Sequence, residues 1–239
     1  MRKSKVMVLN KQLVNDLRSL IINEGATKVG FSNPVGKVKT QFSDVPYAVT
    51  VIVRLSKKVL RQINEDTGPT YIYYHHYRTV NTLIDQITLK AVLFIQDAGY
   101  NAIAIPASQT IPDEDNPHHG DFSHKIGAVM SGLGRIGESS LFIDNDFGPG
   151  VRLGTVLTDM ELPIIELLQK ENKCILCNNC VNHCPAKAIK GNLWNENIST
   201  SDLVDVIACN DYMRNNYMGI GRGSVCGICI KVCPEGKLR

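Results

Sequence analysis

Cys174-Ile175-Leu176-Cys177-Asn178-Asn179-Cys180-Val181-Asn182-His183-Cys184-Pro185 carries half of the eight cysteines in this 239-residue chain. The other four follow in a second run, Cys209…Cys226-x2-Cys229-x3-Cys233-Pro234. Each run ends in Cys-Pro. The spacing C-x2-C-x2-C-x3-C-P is typical of bacterial proteins that carry two 4Fe-4S clusters. The sequence therefore predicts that electrons pass through this protein.

The ligands of each cluster follow from the same pattern. The first three cysteines of a run hold one cluster, and the cysteine before proline ligates the other. The predicted sets are Cys174, Cys177, Cys180 and Cys233 for one cluster, and Cys184, Cys209, Cys226 and Cys229 for the second.

Two other uses of cysteine are less well supported. A structural zinc site needs four ligands in two paired knuckles, whereas a single run here supplies four thiols. Disulfides occur mainly in oxidising compartments, and the amino terminus shows no signal that would direct export.

Composition places the chain among globular proteins. Apolar residues make up 44% of the sequence and the formal net charge is +3. This length suits one sizeable domain and one small domain. No apolar run reaches the roughly 18 residues of a membrane span, and no dense basic stripe indicates nucleic acid binding. We expect a cytoplasmic location.

Hydrophobic periodicity before the cysteines predicts alternating helices and strands, which indicates an α/β (α+β) domain. We expect this domain to cover residues 1–171 and a ferredoxin-like two-cluster domain to cover residues 172–239. The predicted elements are a helix over 13–21 ended by Gly25, strands at 29–31 and 47–55, a helix through 83–94 ended by Gly99, a strand at 101–105, a short helix over 123–130, and strands at 140–143 and 152–158.

A glycine loop, Gly132-Leu133-Gly134-Arg135-Ile136-Gly137, matches the dinucleotide-binding fingerprint letter by letter. That fingerprint requires a strand before it and a helix after it. Here the order is reversed, so the loop does not indicate NAD. Two interpretations remain: the glycines let backbone amides approach a planar ligand, or they form a tight turn that packing requires.

Histidine and tyrosine side chains supply candidate proton donors. Five histidines, His75, His76, His118, His119 and His124, could suggest a metal site, but the last three lack the i, i+4 pairing of helical zinc ligands. A histidine near the loop before residue 124 could donate a proton near neutral pH. Four tyrosines, Tyr71, Tyr73, Tyr74 and Tyr77, form an aromatic cluster that we interpret as a packed surface.

The segment from Ser123 to Ile143, then the segment from Gly148 to Asp159, and then both cysteine runs occur in fixed order. In this order the chain resembles the epoxyqueuosine reductase and reductive dehalogenase superfamily. The resemblance extends from about residue 70 to the end.

This resemblance implies a cobalamin in the amino-terminal domain that receives electrons from the two clusters. It implies an electron donor such as a ferredoxin or flavodoxin, and a small-molecule or corrinoid-linked substrate. The residues expected near the cofactor are Gly132, Leu133, Gly134, Gly137, Ser139, His124, Arg152 and Gly154. The candidate catalytic acids are His118, His119, Asp121 and Tyr77.

The chain departs from epoxyqueuosine reductases at three places. Glu138 stands where those enzymes have a lysine, and their essential aspartate has no certain counterpart, the nearest acids being Asp115 and Asp121. The chain also ends six residues after Cys233, before the helical extension with which those enzymes bind tRNA. A tRNA substrate is therefore not expected.

Two alternatives stay open. The chain could be a non-catalytic electron carrier whose amino-terminal domain docks a redox partner, or a reductase that holds a flavin in place of the corrin. A carrier needs only the last 70 or so residues, and this favours an enzyme.

Overall fold

The computed structural model describes residues 2–111, 119–164 and 173–237 of the chain. The helices and strands follow in this order: α1 (Arg2–Asn23), β1 (Lys28–Ser32), β2 (Tyr47–Arg54), α2 (Lys57–Leu60), α3 (Tyr71–Asp97), β3 (Ala102–Ile105), α4 (His124–Met130), β4 (Gly134–Ile136), β5 (Phe142–Asp144), β6 (Val151–Thr158), α5 (Asn179–His183), α6 (Thr200–Leu203), α7 (Val206–Tyr217) and α8 (Ile228–Lys231). This mixture of helices and strands confirms a mixed fold.

Two compact units alternate along the sequence. The first unit consists of Met1–Val53, Asn81–Leu133 and Arg152–Leu167. The second consists of Arg54–Val80, Gly134–Val151 and Leu168–Arg239, so it contains every cysteine together with two earlier segments. That a boundary near residue 172 separates a cofactor domain from a cluster domain stays a prediction.

A four-stranded sheet in the order β1-β2-β6-β3 organises the first unit. β1 pairs antiparallel with β2, with Gly30 opposite Thr50, and β3 pairs antiparallel with β6, with Ala104 opposite Val156. The two central strands, β2 and β6, are buried along most of their length. Strands covered on both faces have continuous apolar sequences, which is the reason that β2 could be predicted from residues 47–55.

Helix α3 packs on this sheet through a glycine. A Cβ atom built on Gly154 of β6 would lie 2.3 Å from Cγ2 of Ile84 and 3.1 Å from Cγ2 of Thr88. The predicted helix is confirmed, but its buried stripe is centred on Ile84, Ala91 and Ile95. It also begins at Tyr71, in the segment that we interpreted as an aromatic cluster.

The second unit contains the two-stranded ribbon of β4 and β5, with short helices around the cysteines.

Gly132 follows α4 and has φ +71°, a left-handed conformation that suits glycine at a helix end. β4 begins two residues later, at Gly134. The predicted order of helix, glycine segment and strand is confirmed by α4 and β5, although β4 lies inside the segment predicted as a loop.

Within the described residues, the structure has no helix that is long and apolar enough to cross a membrane.

Candidate iron-sulfur site

Tight turns bring the cysteines of the first run together. Leu176 and Asn178 both have positive φ, at 64° and 48°, and the backbone N–H of Cys177 donates to the carbonyl of Cys174 over 2.9 Å. Helix α5 then carries Cys180, and Cys184 follows its last residue. Asparagine tolerates the left-handed conformation better than most residues, and this accounts for Asn178 at the turn.

The second run uses helices α7 and α8. Cys209 lies in α7, Cys226 precedes α8 and Cys229 lies within it. Gly227 has φ +83°, and a Cβ atom there would lie 2.8 Å from Cδ1 of Ile63 and 2.9 Å from Cε1 of Tyr73. Glycine is therefore required for this turn on conformational and steric grounds.

Electrostatic neighbours reveal a first set of four thiols. Burial raises the pKa of Cys180 to about 12, and the charges of Glu138, Cys174 and Cys233 add to that rise. Burial also raises the pKa of Cys233 to about 11, with further contributions from Cys174 and Cys177. The structure thus brings together the four cysteines predicted for one cluster.

The remaining four thiols form a second set. Burial raises the pKa of Cys209 to about 11, and Cys226 and Cys184 raise it further. Burial raises the pKa of Cys229 well above its usual value, and its charged neighbours include Cys226, Cys209 and Cys184, together with Cys180 of the first set. The structure brings these four together as predicted, and the ligand assignment itself stays a prediction.

Backbone amides are aimed at several of these sulfurs. Burial raises the pKa of four of the thiols, and in each case a backbone N–H donor opposes the rise. Such donors stabilise thiolates, the form of cysteine that binds metal. The pairs are Glu138 N–H with Cys174, Val181 N–H with Cys180, Ile228 N–H with Cys226, and both Glu235 and Gly236 N–H with Cys233.

A cavity in the second unit lies among five of the cysteines. It is lined by Glu138, Ser139, Ile143, Cys174, Cys177, Asn179, Cys180, Cys229, Cys233 and Pro234. Among the described residues, no group of three or more His, Cys, Asp or Glu side chains is placed to hold a single metal ion.

Part of the glycine loop lies at this cavity. A Cβ atom on Gly137 would lie 3.3 Å from Sγ of Cys174 and 2.5 Å from Cδ1 of Ile143. Ser139 lines the cavity. Glu138 is 3% exposed, its Oε2 lies 3.9 Å from Sγ of Cys180, and burial raises its pKa while that contact lowers it. In the sequence, Glu138 stands out only as a departure from a family pattern, and nothing in its spacing places it beside a cysteine.

The glycines expected to cradle a cofactor face protein atoms instead. A Cβ atom on Gly134 would lie 2.1 Å from the carbonyl oxygen of Ile143, and Gly154 faces Ile84. The space that a side chain would need at Gly134 and Gly154 is therefore filled by neighbouring protein atoms. Their role in cofactor binding stays a prediction.

The other expected cofactor residues lie in the first unit. Leu133 packs on β1, where a Cβ atom on Gly30 would lie 2.7 Å from its Cδ1. His124 contacts Oγ1 of Thr155 through Nδ1 at 2.9 Å, and its Nε2 lies 3.0 Å from the carbonyl oxygen of Pro106. Since a carbonyl only accepts, the proton is on Nε2, and burial lowers the pKa of His124 to about 4. His124 is therefore neutral near pH 7.

Arg152 belongs to the same polar region of the first unit. Its Nε donates to Oδ1 of Asn81 over 2.8 Å, and an Nη2 proton is donated to the carbonyl of Ala107 over 3.3 Å. These bonds fix the guanidinium against the protein, and any contact with a cofactor stays a prediction.

Of the candidate acids, His119 and Asp121 lie together in the first unit, whereas Tyr77 belongs to the second. Hydrogen bonds from Gln109 and Lys39 lower the pKa of Asp121, and the charge of His119 adds to this effect. A lowered pKa keeps Asp121 ionised and makes it a poor proton donor near neutral pH. His118 lies outside the described residues.

Comparison with known proteins supports the cysteine-site geometry. Residues 173–236 match the family described as a 4Fe-4S double cluster binding domain. The chain is 32% identical over 117 residues to the epoxyqueuosine reductase of Vibrio cholerae, a match that covers 45% of this chain and 29% of that protein. It is also 32% identical over 125 residues to the tetrachloroethene reductive dehalogenase of Dehalobacter restrictus. That match covers 46% of this chain and 22% of that protein. These homologues confirm the predicted resemblance.

Solved structures show the same fold. A catabolic reductive dehalogenase in complex with 3-bromo-4-hydroxybenzoic acid has a TM-score of 0.69 at 19% identity, covering 92% of this chain and 31% of that one. An epoxyqueuosine reductase solved with a modified tRNA stem loop has a TM-score of 0.61 at 14% identity. The match covers 95% of this chain and 66% of that one. The matched part spans less than a third of the length of each of these two curated relatives.

Proposed function

We propose that the protein is an iron-sulfur reductase in which two 4Fe-4S clusters relay single electrons to an acceptor. The observation that carries this proposal is the grouping of the thiols in the second unit. One cavity is lined by Cys174, Cys177, Cys180, Cys229 and Cys233, the neighbours of Cys229 include Cys184, Cys209 and Cys226, and backbone N–H groups donate to four of the eight thiols. Bound clusters of this type supply one-electron transfer at low potential. Both named groups of homologues are reductases, which supports reduction of a substrate rather than storage of electrons.

The chain's own residues perform the structural part of this task. The turns around Leu176 and Gly227 fix the thiols, and the amides of Val181 and Ile228 stabilise them as thiolates. Cys229 is partly buried and lines the cavity of the second unit. Restricting solvent and donating hydrogen bonds to sulfur are two of the means by which a protein sets a cluster's potential.

Cobalamin is our proposal for the organic cofactor. One similar structure is described as a B12-dependent reductive dehalogenase, at a TM-score of 0.69 and 19% identity. We further propose a ferredoxin or flavodoxin as electron donor and a small-molecule or corrinoid-linked substrate. Since Gly134 and Gly154 face protein atoms, support for the corrin comes from the relatives and not from the glycine loop.

The packing of that loop favours one alternative, a non-catalytic electron carrier. Gly137 lies against a cysteine of the first set, so the loop has a use at the cluster site that needs no organic cofactor.

Anaerobic purification followed by chromophore and metal analysis separates these functions. The enzyme hypothesis predicts that protein supplied with cobalamin retains corrin absorbance and gives a cobalt(II) signal by electron paramagnetic resonance. A carrier would show cluster signals without any retained chromophore, and a flavin enzyme would release a yellow cofactor on denaturation. Cluster signals without corrin would refute the cobalamin proposal and leave the electron relay in place.

A further inference from the structure

One face of the β4–β5 ribbon is turned toward Cys174. Arg135 pairs directly with Ile143 in this antiparallel ribbon, and directly opposed residues project from the same face. Gly137 lies two residues from Arg135, on that face as well. Ile143 lines the cysteine cavity, and a Cβ atom on Gly137 would lie 3.3 Å from Sγ of Cys174. Arg135 therefore extends from the face that meets the first cysteine set.

The guanidinium of Arg135 is buried and has unused donors. Its side chain is 14% exposed. Neither Nε nor Nη2 has a hydrogen-bond partner among the described residues. Nη2 lies 3.4 Å from Oε2 of Glu235, an ion pair that Glu235 shares with Nζ of Lys173 at the same distance. A buried donor without an acceptor, here Nε, is unfavourable and calls for a partner that the described protein atoms do not supply.

An anionic partner is available at the cysteines. Glu235, the ion-pair partner of Arg135, lies two residues after Cys233, and a Cβ atom on Gly137 of the same ribbon face would lie 3.3 Å from Sγ of Cys174. Four thiolates give a 4Fe-4S cluster a net negative charge, which increases by one on reduction. Arginine stays protonated at every relevant pH, so its positive charge is present in both redox states.

We propose that Arg135 donates guanidinium N–H hydrogen bonds to sulfur of the cluster held by Cys174, Cys177, Cys180 and Cys233 and thereby raises that cluster's reduction potential. This inference rests on the proposed function, because it requires the cluster. Arg135 affects electron transfer only through the cluster, and it touches no substrate. The reduction that it favours adds one electron to the cluster and moves no proton.

Potentiometric titration of anaerobic protein with dithionite, followed by electron paramagnetic resonance, tests the proposal. For Arg135→Gln we expect the ratio of reduced to oxidised cluster at a fixed applied potential to fall about tenfold for one of the two clusters, which corresponds to 59 mV for a one-electron couple. Arg135→Lys keeps the charge but loses the planar fork of donors. We expect it to shift the same midpoint in the same direction by a smaller amount.

Lys173→Gln is the matched control, because Lys173 pairs with the same oxygen of Glu235 at 3.4 Å but is 64% exposed. Solvent screens its charge, so we expect the ratio of reduced to oxidised cluster at the same applied potential to change less than about twofold. Equal shifts in the Arg135→Gln and Lys173→Gln variants would contradict donation by Arg135, because net charge alone would then explain them.

The outcomes distinguish this inference from the proposed function. A wild-type protein without any cluster signal refutes the relay itself. Two normal signals in the wild type with unchanged midpoints in Arg135→Gln refute only the role of Arg135. If Arg135→Gln loses half of its iron, Arg135→Lys decides: a lowered midpoint supports the proposal, and a wild-type midpoint overturns it.

Discussion

Gly137→Ala adds one methyl group where the ribbon meets the first cysteine set. The new Cβ atom would lie 2.5 Å from Cδ1 of Ile143 and 3.3 Å from Sγ of Cys174. Cδ1 is the end of a flexible side chain and can rotate away. Sγ cannot move freely once it binds iron, so the strain falls on the bond between Cys174 and the cluster.

The size of the effect follows from these two contacts. Inserting a methylene into a packed region costs about 1–3 kcal/mol. Since Ile143 can relieve part of the strain, we expect the lower end, about 1 kcal/mol, which is roughly a fivefold change in an equilibrium ratio. We expect the variant to release iron from one cluster about fivefold faster than the wild type and to keep the other cluster at the wild-type rate.

Iron release to a coloured chelator under anaerobic conditions measures this rate. Gly219→Ala is the control, because a Cβ atom there has no neighbour within 4 Å and its residue is exposed. We expect wild-type rates in the control. Equal release rates in Gly137→Ala and Gly219→Ala would refute the contact between the glycine loop and the cluster site.

Three further predictions concern other parts of the site and fold. Cys229→Ser should halve the iron content, because Cys229 is a predicted ligand and its neighbours include Cys226, Cys209 and Cys184; iron near the wild-type amount would contradict the ligand assignment. Tyr217→Phe should lower the midpoint of the second cluster, since burial raises the pKa of Tyr217 and keeps the hydroxyl that contacts Cys226 protonated; an unshifted midpoint in redox titration counts against this. His124→Gln should reduce the loss of folding stability that occurs as the pH falls below 7. The folded pKa of His124 is about 4, below its unfolded value of 6.5, so the unfolded state takes up more protons and wild-type stability falls as the pH drops through that window. Denaturant melts from pH 7 to pH 4 should therefore converge for the two proteins, and parallel curves would exclude His124 as the cause.

Short-range sequence patterns predicted the elements whose formation depends on residues close together in the chain. The strand at residues 47–55 was predicted because a buried strand has a continuous apolar sequence, and the helix was predicted to end at Gly99 because glycine often follows a helix. The two cysteine sets were predicted because ligand spacing reflects cluster geometry.

Long-range contacts were beyond sequence reasoning. β4 is only three residues long and lies inside a glycine loop, so no periodicity could reveal it. The proximity of Arg135 and Glu138 to Cys174 and Cys180 depends on a ribbon some 40 residues earlier in the chain. The sequence left open whether the glycine loop approaches a ligand or forms a packed turn; the structure adds that a Cβ atom on Gly134, Gly137 or Gly154 would meet neighbouring protein atoms.

The central claim is that eight thiols hold two iron-sulfur cubanes. Iron and acid-labile sulfide, measured together on strictly anaerobic protein from cells with intact cluster assembly, test it most directly. The account predicts about eight of each per chain, as two cubanes require. Colourless protein that contains zinc or no metal would contradict it.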